Sequence, residues 1–112
     1  MPKTERLGEF EELIMLCICG LGEEAYALRI QERLEEDAKR SAALGAIYAA
    51  LDRMERKRFV RSWVGNPTAA RGGRRKRFYA VTVRGSRMLN RLREARAVLW
   101  RRFETGARGV KS

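Results

Sequence analysis

A chain of 112 residues is long enough for one domain with a single hydrophobic core and too short for two. Apolar residues make up 45% of the chain and charged residues 35%, a composition that excludes a disordered or fibrous protein. The formal net charge is +11, and no histidine is present.

The two signs of charge are separated along the chain. Residues 1–37 hold four Lys/Arg and ten Asp/Glu, whereas residues 38–112 hold 21 and four. Between Glu55 and Glu94 there are thirteen Lys/Arg and no acidic residue. Since a solvated surface usually mixes both signs, this block predicts a polyanionic partner, with nucleic acid ahead of an anionic membrane. The alternative is a very soluble protein with an uneven surface.

Two helices are predicted in the N-terminal third. From Gly8 onward the apolar residues follow the spacing of a helix with one buried stripe, which widens until the second half is apolar nearly all round. Gly20 and Gly22 are expected to end this helix. A shorter amphipathic helix is predicted at about 23–37, with Tyr26 and Ile30 on its apolar face.

A third helix is predicted after Lys39 and Arg40, with Ser41 as its N-cap. Its inward-facing residues are expected to be Leu44, Ile47, Leu51 and Met54, with Tyr48 at their edge. The opposite face has almost no side-chain bulk, and it consists of Ala42, Ala43, Gly45, Ala46, Ala49 and Ala50, followed by Arg53. Such a face permits close approach, either to the floor of a DNA groove or to a neighbouring helix.

Two short β-type runs, 59–64 and 78–83, flank a polar loop and together predict a hairpin. The loop segment 71–77 carries five cations and two glycines. Thr82 is a plausible N-cap for a final helix of about 20 residues, roughly 30 Å long. The apolar stripe of that helix consists of Met88, Leu92, Ala95, Leu99 and Phe103.

This order of elements predicts a mostly α fold with a small β-hairpin, namely a winged helix-turn-helix with three helices and a two-stranded wing, followed by a long C-terminal helix. We expect residues 1–83 to form the DNA-binding domain, 84–105 the dimerisation helix and 106–112 a flexible tail.

The third helix and the basic loop are the predicted contacts to double-stranded DNA. A recognition helix places its exposed face in the major groove with its N-terminus near phosphates, and guanidinium groups suit phosphate or a narrow minor groove. Alternatively, Ser41 is only a cap, Tyr48 belongs to the core and the loop is a solvated tip. The predicted DNA-binding residues are Lys39, Arg40, Ser41, Ala42, Gly45, Ala46, Tyr48, Arg53, Arg71, Arg74, Arg75 and Lys76.

Homodimerisation is predicted because the final helix would expose too much apolar surface in a monomer. The nearly all-apolar first helix is expected to supply the second element of the dimer interface. A two-fold axis would place two recognition helices one DNA turn, about 34 Å, apart. The alternative is that the last helix folds back on its own domain. The predicted interface residues are Phe10, Leu13, Met88, Leu92, Leu99, Trp100 and Phe103.

Two sequence strings carry a resemblance to a known family. The third helix reads G-x-I-Y-x-x-L-x-R-x-E over 45–55, and the entry into the last helix reads Y-x-x-T-x-x-G over 79–85. Over about 7–100 the chain resembles the short branch of the PadR family of transcriptional regulators. The resemblance implies a winged-helix domain, dimerisation through the C-terminal helix and repression at a palindromic operator.

The chain departs from the pattern of that family at two positions. Arg58 stands where the family usually has the glycine that closes the recognition helix, and a left-handed residue there would cost about 1 kcal/mol, so we expect a remodelled turn. Ala46 stands where a hydroxyl residue is common, which removes one possible base or phosphate contact.

An enzyme is not expected. Cys17 and Cys19, two apart on a helix, point about 200° from each other, so we expect buried, reduced thiols and no metal site. No nucleophile–base pair can be assembled without histidine, and Gly72-Gly73 lies between two strands, which is not the setting of a nucleotide-binding loop. No cofactor is therefore predicted.

Two further functions remain open. A basic hairpin also suits an RNA-binding or ribosome-associated module. A small aromatic effector between the C-terminal helices of a dimer, with Trp63 and Trp100 as candidate contacts, is compatible with a repressor. Cysteine use, the lack of a leader and uncharged runs of at most eleven residues predict a cytoplasmic location with no membrane partner.

Overall fold

The computed structural model describes residues 6–65 and 75–106, and the elements follow the predicted order. They are α1 (Glu9–Leu21), a 3-10 turn (Gly22–Glu24), α2 (Ala27–Ala38), α3 (Leu44–Arg56), β1 (Val60–Val64), β2 (Arg77–Val81) and α4 (Val83–Thr105). The mostly α fold with a two-stranded hairpin is therefore confirmed. Residues 66–74 of the connection between the strands and the tail from 107 onward lie outside the described residues.

The ends of the first two helices differ from the prediction. Gly8 is the N-cap of α1, and the helix continues through Gly20 to Leu21 before Gly22 ends it with a φ of 59°. Gly20 therefore does not end the helix, because it keeps a helical backbone. Helix α2 begins only at Ala27, since the chain first makes a 3-10 turn and then an extended segment at Tyr26.

The core lies where α1, α2 and α3 meet beneath the hairpin. Its largest fully buried side chains are Phe59, Ile14, Met15, Ile30, Leu34, Ile47, Leu51, Met54 and Val60. Two positions on α3 differ from the prediction. Leu44 is 38% exposed because it is the first residue of the helix, and Ala50 is buried because it lies three residues after Ile47 and four before Met54.

Helix α3 starts two residues later than predicted. Its N-cap is Ala43, whose side chain makes no capping hydrogen bond, and Ser41 is exposed in the connection before it. Gln31 of α2 donates a hydrogen bond of 2.8 Å from its Nε2 to the carbonyl oxygen of Ala42, which holds the connection against α2. Ser41 is therefore not a cap, because the helix begins beyond the reach of its hydroxyl.

The hairpin is antiparallel and carries a third short segment on its edge. Its register pairs Val60 with Val81 and Trp63 with Phe78. The Tyr79 N–H donates to the carbonyl oxygen of Ala25 at 2.9 Å, which joins β2 to the segment before α2. Burial raises the pKa of the Tyr79 hydroxyl to about 12, so this side chain is neutral at physiological pH. The hairpin is thus fixed to the helical core.

The turn that follows α3 is not remodelled, contrary to the prediction. Arg58 adopts a left-handed backbone with a φ of 65°. Its N–H donates to the carbonyl oxygen of Glu55 at 3.0 Å, and the N–H of Phe59 donates to that of Met54 at 2.9 Å. These two hydrogen bonds define the usual left-handed helix ending, with the buried Phe59 packed in the core that contains Met54. Arginine therefore occupies a conformation that favours glycine.

Helix α4 starts as predicted and then leaves the domain. Thr82 is its N-cap, and the Thr82 hydroxyl accepts a hydrogen bond of 3.0 Å from the Gly85 N–H. Met88 is buried against the core, whereas Leu99 and Phe103 are 66% and 51% exposed. The molecule extends 59 Å along its longest axis. The alternative in which α4 folds back on its own domain is therefore not what the structure shows.

The cysteines and the search for metal sites bear on the excluded functions. Cys17 is partly buried and Cys19 is exposed, so the prediction that both are buried is wrong for Cys19. Burial raises the pKa of both thiols, which favours their protonated form. Within 6–65 and 75–106, no His/Cys/Asp/Glu group is arranged to hold a metal ion. None of the helices in these ranges is long and apolar enough to span a membrane.

The left-handed backbone at Arg58 yields a stability prediction. Arg58→Gly should raise the free energy of unfolding by about 0.5–1 kcal/mol, because glycine adopts a positive φ without the steric cost of a Cβ. Urea denaturation measures this change. Arg56→Gly, two residues earlier in a regular helical turn, should lower the same quantity by about 1 kcal/mol. Equal destabilisation by both substitutions would contradict this account of the turn.

Candidate nucleic-acid interface

None of the described residues covers the outward face of α3, and the first half of this face has almost no side-chain bulk. Gly45, Ala49, Asp52 and Arg56 follow one another at intervals of four, three and four residues, and all are exposed. A Cβ placed on Gly45 would find nothing within 4 Å. The small residues on this face were predicted, but Asp52 and Arg56 were missed, although their helical spacing from Gly45 would have identified them.

The N-terminus of α3 is suited to an anion. No side chain of the described residues caps it, so its first N–H groups are left without an intrahelical acceptor. These groups and the positive end of the helix dipole favour a phosphate. The predicted residues Gly45 and Ala46 are exposed at this end, Ser41 is exposed just before it, and Ala42 is partly buried.

Two other predicted residues near this end are placed differently. Tyr48 is 47% exposed on the flank of α3, so it is not a core residue. Lys39 ends α2 in a left-handed conformation, and its Nζ donates to the carbonyl oxygen of Glu36 at 3.0 Å. Both side chains remain accessible to a partner, because Lys39 is also exposed.

Two predicted cations are bound to the first turn of α1. Arg40 donates from Nη1 to a carboxylate oxygen of Glu9, and its guanidinium lies 5.2 Å from the centre of the Phe10 ring. The Nε of Arg53 lies 3.4 Å from Oε2 of Glu11, a carboxylate that is almost fully buried. These ion pairs join residues far apart in sequence, and helical periodicity alone gives no signal for them.

The base of the hairpin combines aromatic rings with cations. Trp63 stacks on Phe78 with ring centres 6.2 Å apart, and Tyr26 meets Phe78 edge-on at 5.8 Å. Arg61 lies over Trp63, and Nζ of Lys76 lies 3.9 Å from the centre of the Tyr26 ring. Lys76 is thus partly engaged with the helical body of the protein.

The predicted residues of the basic loop are only partly described. Arg75 is exposed at the start of the second described range, whereas Arg71 and Arg74 lie outside the described residues. The opposite face of the hairpin is bound to α3, since the Ser62 hydroxyl lies 2.8 Å from a Glu55 carboxylate oxygen. Nη1 of Arg77 donates to the same hydroxyl at 3.0 Å. The hairpin and α3 are therefore oriented together.

The predicted interface residues fall into three groups by exposure. Met88 is 7% exposed and packs in its own core, so it leaves little surface for a partner. Phe10, Leu13 and Leu92 are partly buried against the same core. The last group, Leu99, Trp100 and Phe103, is exposed on one side of α4, with Trp100 meeting Phe103 edge-on at 5.5 Å.

Comparison with known proteins agrees with this arrangement. The chain matches the model of the transcriptional regulator PadR-like family over residues 15–91, which is more than half of its length. None of the curated proteins matches it.

Solved structures show the same fold. A PadR family transcription regulator from Clostridium difficile R20291 is 24% identical, with a TM-score of 0.71 and coverage of 89% of this chain and 99% of that one. A PadR-like transcriptional regulator from Bacillus cereus is 19% identical, with a TM-score of 0.72 and coverage of 90% and 93%. A PadR-like transcription factor from Bacteroides fragilis is 24% identical, with a TM-score of 0.66 and coverage of 91% and 89%.

The family match, the winged-helix fold and the uncovered face of α3 agree with one another. The chain belongs to the PadR-like family of transcriptional regulators, and it is a DNA-binding regulator of transcription rather than an enzyme.

Proposed function

We propose that the chain is a homodimeric repressor that binds an inverted-repeat operator through α3 and the basic hairpin. The observation that carries the proposal is the uncovered outer face of α3, where Gly45 and Ala49 allow the helix backbone to approach the floor of the major groove. A dimer that covers two half-sites excludes other proteins from the same stretch of promoter DNA, and this is the physical basis of repression.

The groups around α3 supply the two kinds of contact that DNA recognition needs. The polar side chains on or beside the outer face include Tyr48, Asp52 and Arg56, and a carboxylate at Asp52 can accept a hydrogen bond from the N4 amino group of cytosine. The free N–H groups at the start of α3 and the exposed Arg75 bind phosphates, which position the protein without reading sequence. We therefore expect the affinity for DNA to fall steeply as the salt concentration rises.

The dimer is supported by the apolar end of α4. Leu99, Trp100 and Phe103 form an exposed apolar surface beyond the part of α4 that packs on the domain. Leu16 on α1 is 51% exposed and lines a groove of about 450 Å³ between α1 and α4, together with Leu89. A two-fold related α4 would bury both surfaces in one contact, in which each protomer supplies the same elements.

A small aromatic effector at this interface is a compatible second part of the proposal. A shallow cavity of about 320 Å³ on α4 is lined by Arg96, Leu99, Trp100 and Phe103. Two rings and a guanidinium suit a flat aromatic anion, and a second protomer would close the open side of the cavity. Trp63 is not part of this cavity, because it stacks on Phe78 in the hairpin.

The proposed DNA contact predicts how charge neutralisation in the hairpin changes binding. Replacing Arg71, Arg74 and Arg75 by Gln should weaken binding to all duplexes and reduce the log–log salt slope by about three, at ~0.9 per phosphate contact. The measurement is binding over a salt series to a duplex selected from a random pool, which we expect to be an inverted repeat.

The control is the triple replacement of Arg91, Arg101 and Arg102 by Gln, which removes the same charge from exposed positions of α4. It should leave the slope within about one unit of wild type. Equal losses in both variants would mean that only total charge matters. Structured RNA that competes better than the selected duplex would favour the RNA-binding alternative.

The proposed dimer contact predicts the effect of charges on the apolar end of α4. Leu99→Glu with Phe103→Glu should give folded monomers, because both side chains are exposed in the protomer and a dimer would have to bury the new charges. Sedimentation measures the mass, and operator affinity should fall in parallel. Val98→Glu, on the other side of α4 and also exposed, should leave the dimer intact. A persistent dimer in the double variant rejects this interface.

The proposed effector site predicts a spectroscopic response. Flat aromatic carboxylates should quench tryptophan fluorescence in the wild type and in Trp63→Phe, because Trp100, and not Trp63, is among the residues that line the cavity. The same compounds should leave the fluorescence of Trp100→Phe unchanged. A diverse panel of such compounds that quenches no variant would reject an effector at this position.

A further inference from the structure

Arg53 of α3 is held by a carboxylate that belongs to another helix. Its Nε lies 3.4 Å from Oε2 of Glu11 on α1, 42 positions earlier in the chain. The Arg53 side chain is 47% exposed, and none of the described residues accepts a hydrogen bond from its terminal Nη groups. The guanidinium is therefore bound on one side and available on the other.

Glu11 is fixed in place independently of Arg53. Its side chain is 7% exposed, and Oε1 accepts a hydrogen bond of 2.9 Å from the Gly8 N–H at the start of α1. Nζ of Lys57 lies 3.3 and 3.4 Å from its two oxygens and donates to the carbonyl oxygen of Arg6 at 2.8 Å. A carboxylate with so many partners cannot turn away when Arg53 meets a ligand.

The charges in this group leave Arg53 attractive to phosphate. The ammonium of Lys57 already balances the negative charge of Glu11, so Glu11, Lys57 and Arg53 together carry a net charge of +1. A carboxylate that sequestered Arg53 would cancel its charge, whereas this group retains it. Arg53 also follows Ala46 and Ala49 along one flank of α3, at the spacing of successive helical turns, so it stands beside the face proposed to enter the groove.

We infer that Glu11 is a positioning residue for DNA binding: it holds Arg53 by Nε so that the terminal Nη groups meet a phosphate beside the groove. The inference rests on the proposed placement of α3 in the major groove. An arginine held in its bound conformation loses less side-chain entropy on binding, and its fork is presented in one direction. Because α1 also borders the proposed dimer contact, the position of this phosphate contact is linked to the dimer.

Glu11→Gln tests the inference by the sign of its effect. The amide keeps the hydrogen bond to Gly8 and removes one negative charge, which by simple electrostatics should tighten DNA binding. If Glu11 positions Arg53, binding to the selected duplex should instead weaken by roughly threefold to tenfold, and the salt slope should fall by about one, as for a lost phosphate contact. In an Arg53→Gln background, Glu11→Gln should no longer weaken binding, because only the loss of its negative charge remains.

Glu32→Gln is the control with the same change of charge. Glu32 lies on α2 and pairs with Arg29 of the same helix at 2.6 Å, so its replacement leaves the contacts of α3 and α4 intact. It should leave the slope unchanged. Tighter binding and a steeper slope in Glu11→Gln would show that the carboxylate competes with DNA, and a lowered melting temperature with an unchanged slope would show a structural role only. Either result overturns the inference.

Arg53→Lys is a second test, which remains informative if Glu11→Gln fails to fold. Lysine keeps the charge, but a single ammonium cannot remain on Glu11 and reach a phosphate at once, so binding should be weaker than that of the wild type. Wild-type affinity in Arg53→Lys overturns the inference even if Glu11→Gln does not fold. If Arg53→Gln binds like wild type, the proposed placement of α3 fails as well, whereas loss in Arg53→Gln without loss in Glu11→Gln overturns this inference alone.

Discussion

The left-handed turn at the end of α3 joins the three elements on which the proposed DNA binding depends. The carbonyl oxygen of the buried Phe59 accepts the Thr82 N–H at 3.0 Å, and the Thr82 hydroxyl donates to the carbonyl oxygen of Arg58 at 2.6 Å. A Cβ at Gly85 would lie 2.2 Å from that Phe59 oxygen, so only glycine lets α4 approach this closely. Helix α3, the hairpin and α4 therefore meet at one closely packed point. The turn at this point requires Arg58 to adopt a left-handed backbone, which is unfavourable for a residue with a Cβ.

The charge separation that is evident in the sequence has a different meaning in the folded chain. The acidic N-terminal segment does not form a separate acidic surface on α1, because carboxylates of its first turn bind cations from later elements: Glu9 binds Arg40, Glu11 binds Arg53 and Lys57, and Glu12 binds Arg96. Each pair joins α1 to the connection before α3, to α3 itself or to α4. The exposed pair of Glu9 with Arg40 adds little stability, whereas Glu11 and Glu12 are mostly buried. All of these pairs orient the elements that they join.

Periodicity predicted the type and order of the elements because each helix buries one stripe and each strand is short and flanked by polar turns. The prediction was wrong where a local signal had two readings. Ser41 is a good cap residue, but Gln31 holds the connection so that the helix starts later. Gly20 is a common helix terminator, yet Gly22 ends α1 instead.

Other features of the site depend on tertiary contacts and could not be predicted from a single sequence. The ion pair of Glu11 with Arg53 requires the packing of α1 against α3, and no local spacing encodes it. Arg58 keeps the family's turn because buried Phe59 and the contacts of Thr82 hold the backbone there. The outward position of Asp52, by contrast, follows from helical spacing and could have been predicted from the sequence.

In the proposed complex with DNA, the small outer face of α3 would make a second protomer necessary. Gly45 and Ala49 allow close approach but offer no side-chain hydrogen bonds, so base readout in one proposed half-site would depend on few groups, such as Tyr48, Asp52 and Arg56. Each discriminating base contact contributes only about 1–3 kcal/mol, which is too little to distinguish one site among the many in a genome. Two linked half-sites double this discrimination, provided that a rigid contact fixes their spacing. The exposed apolar end of α4 and the small outer face of α3 would then act together. A helix with few side chains for base readout is selective only when two copies of it bind two linked half-sites.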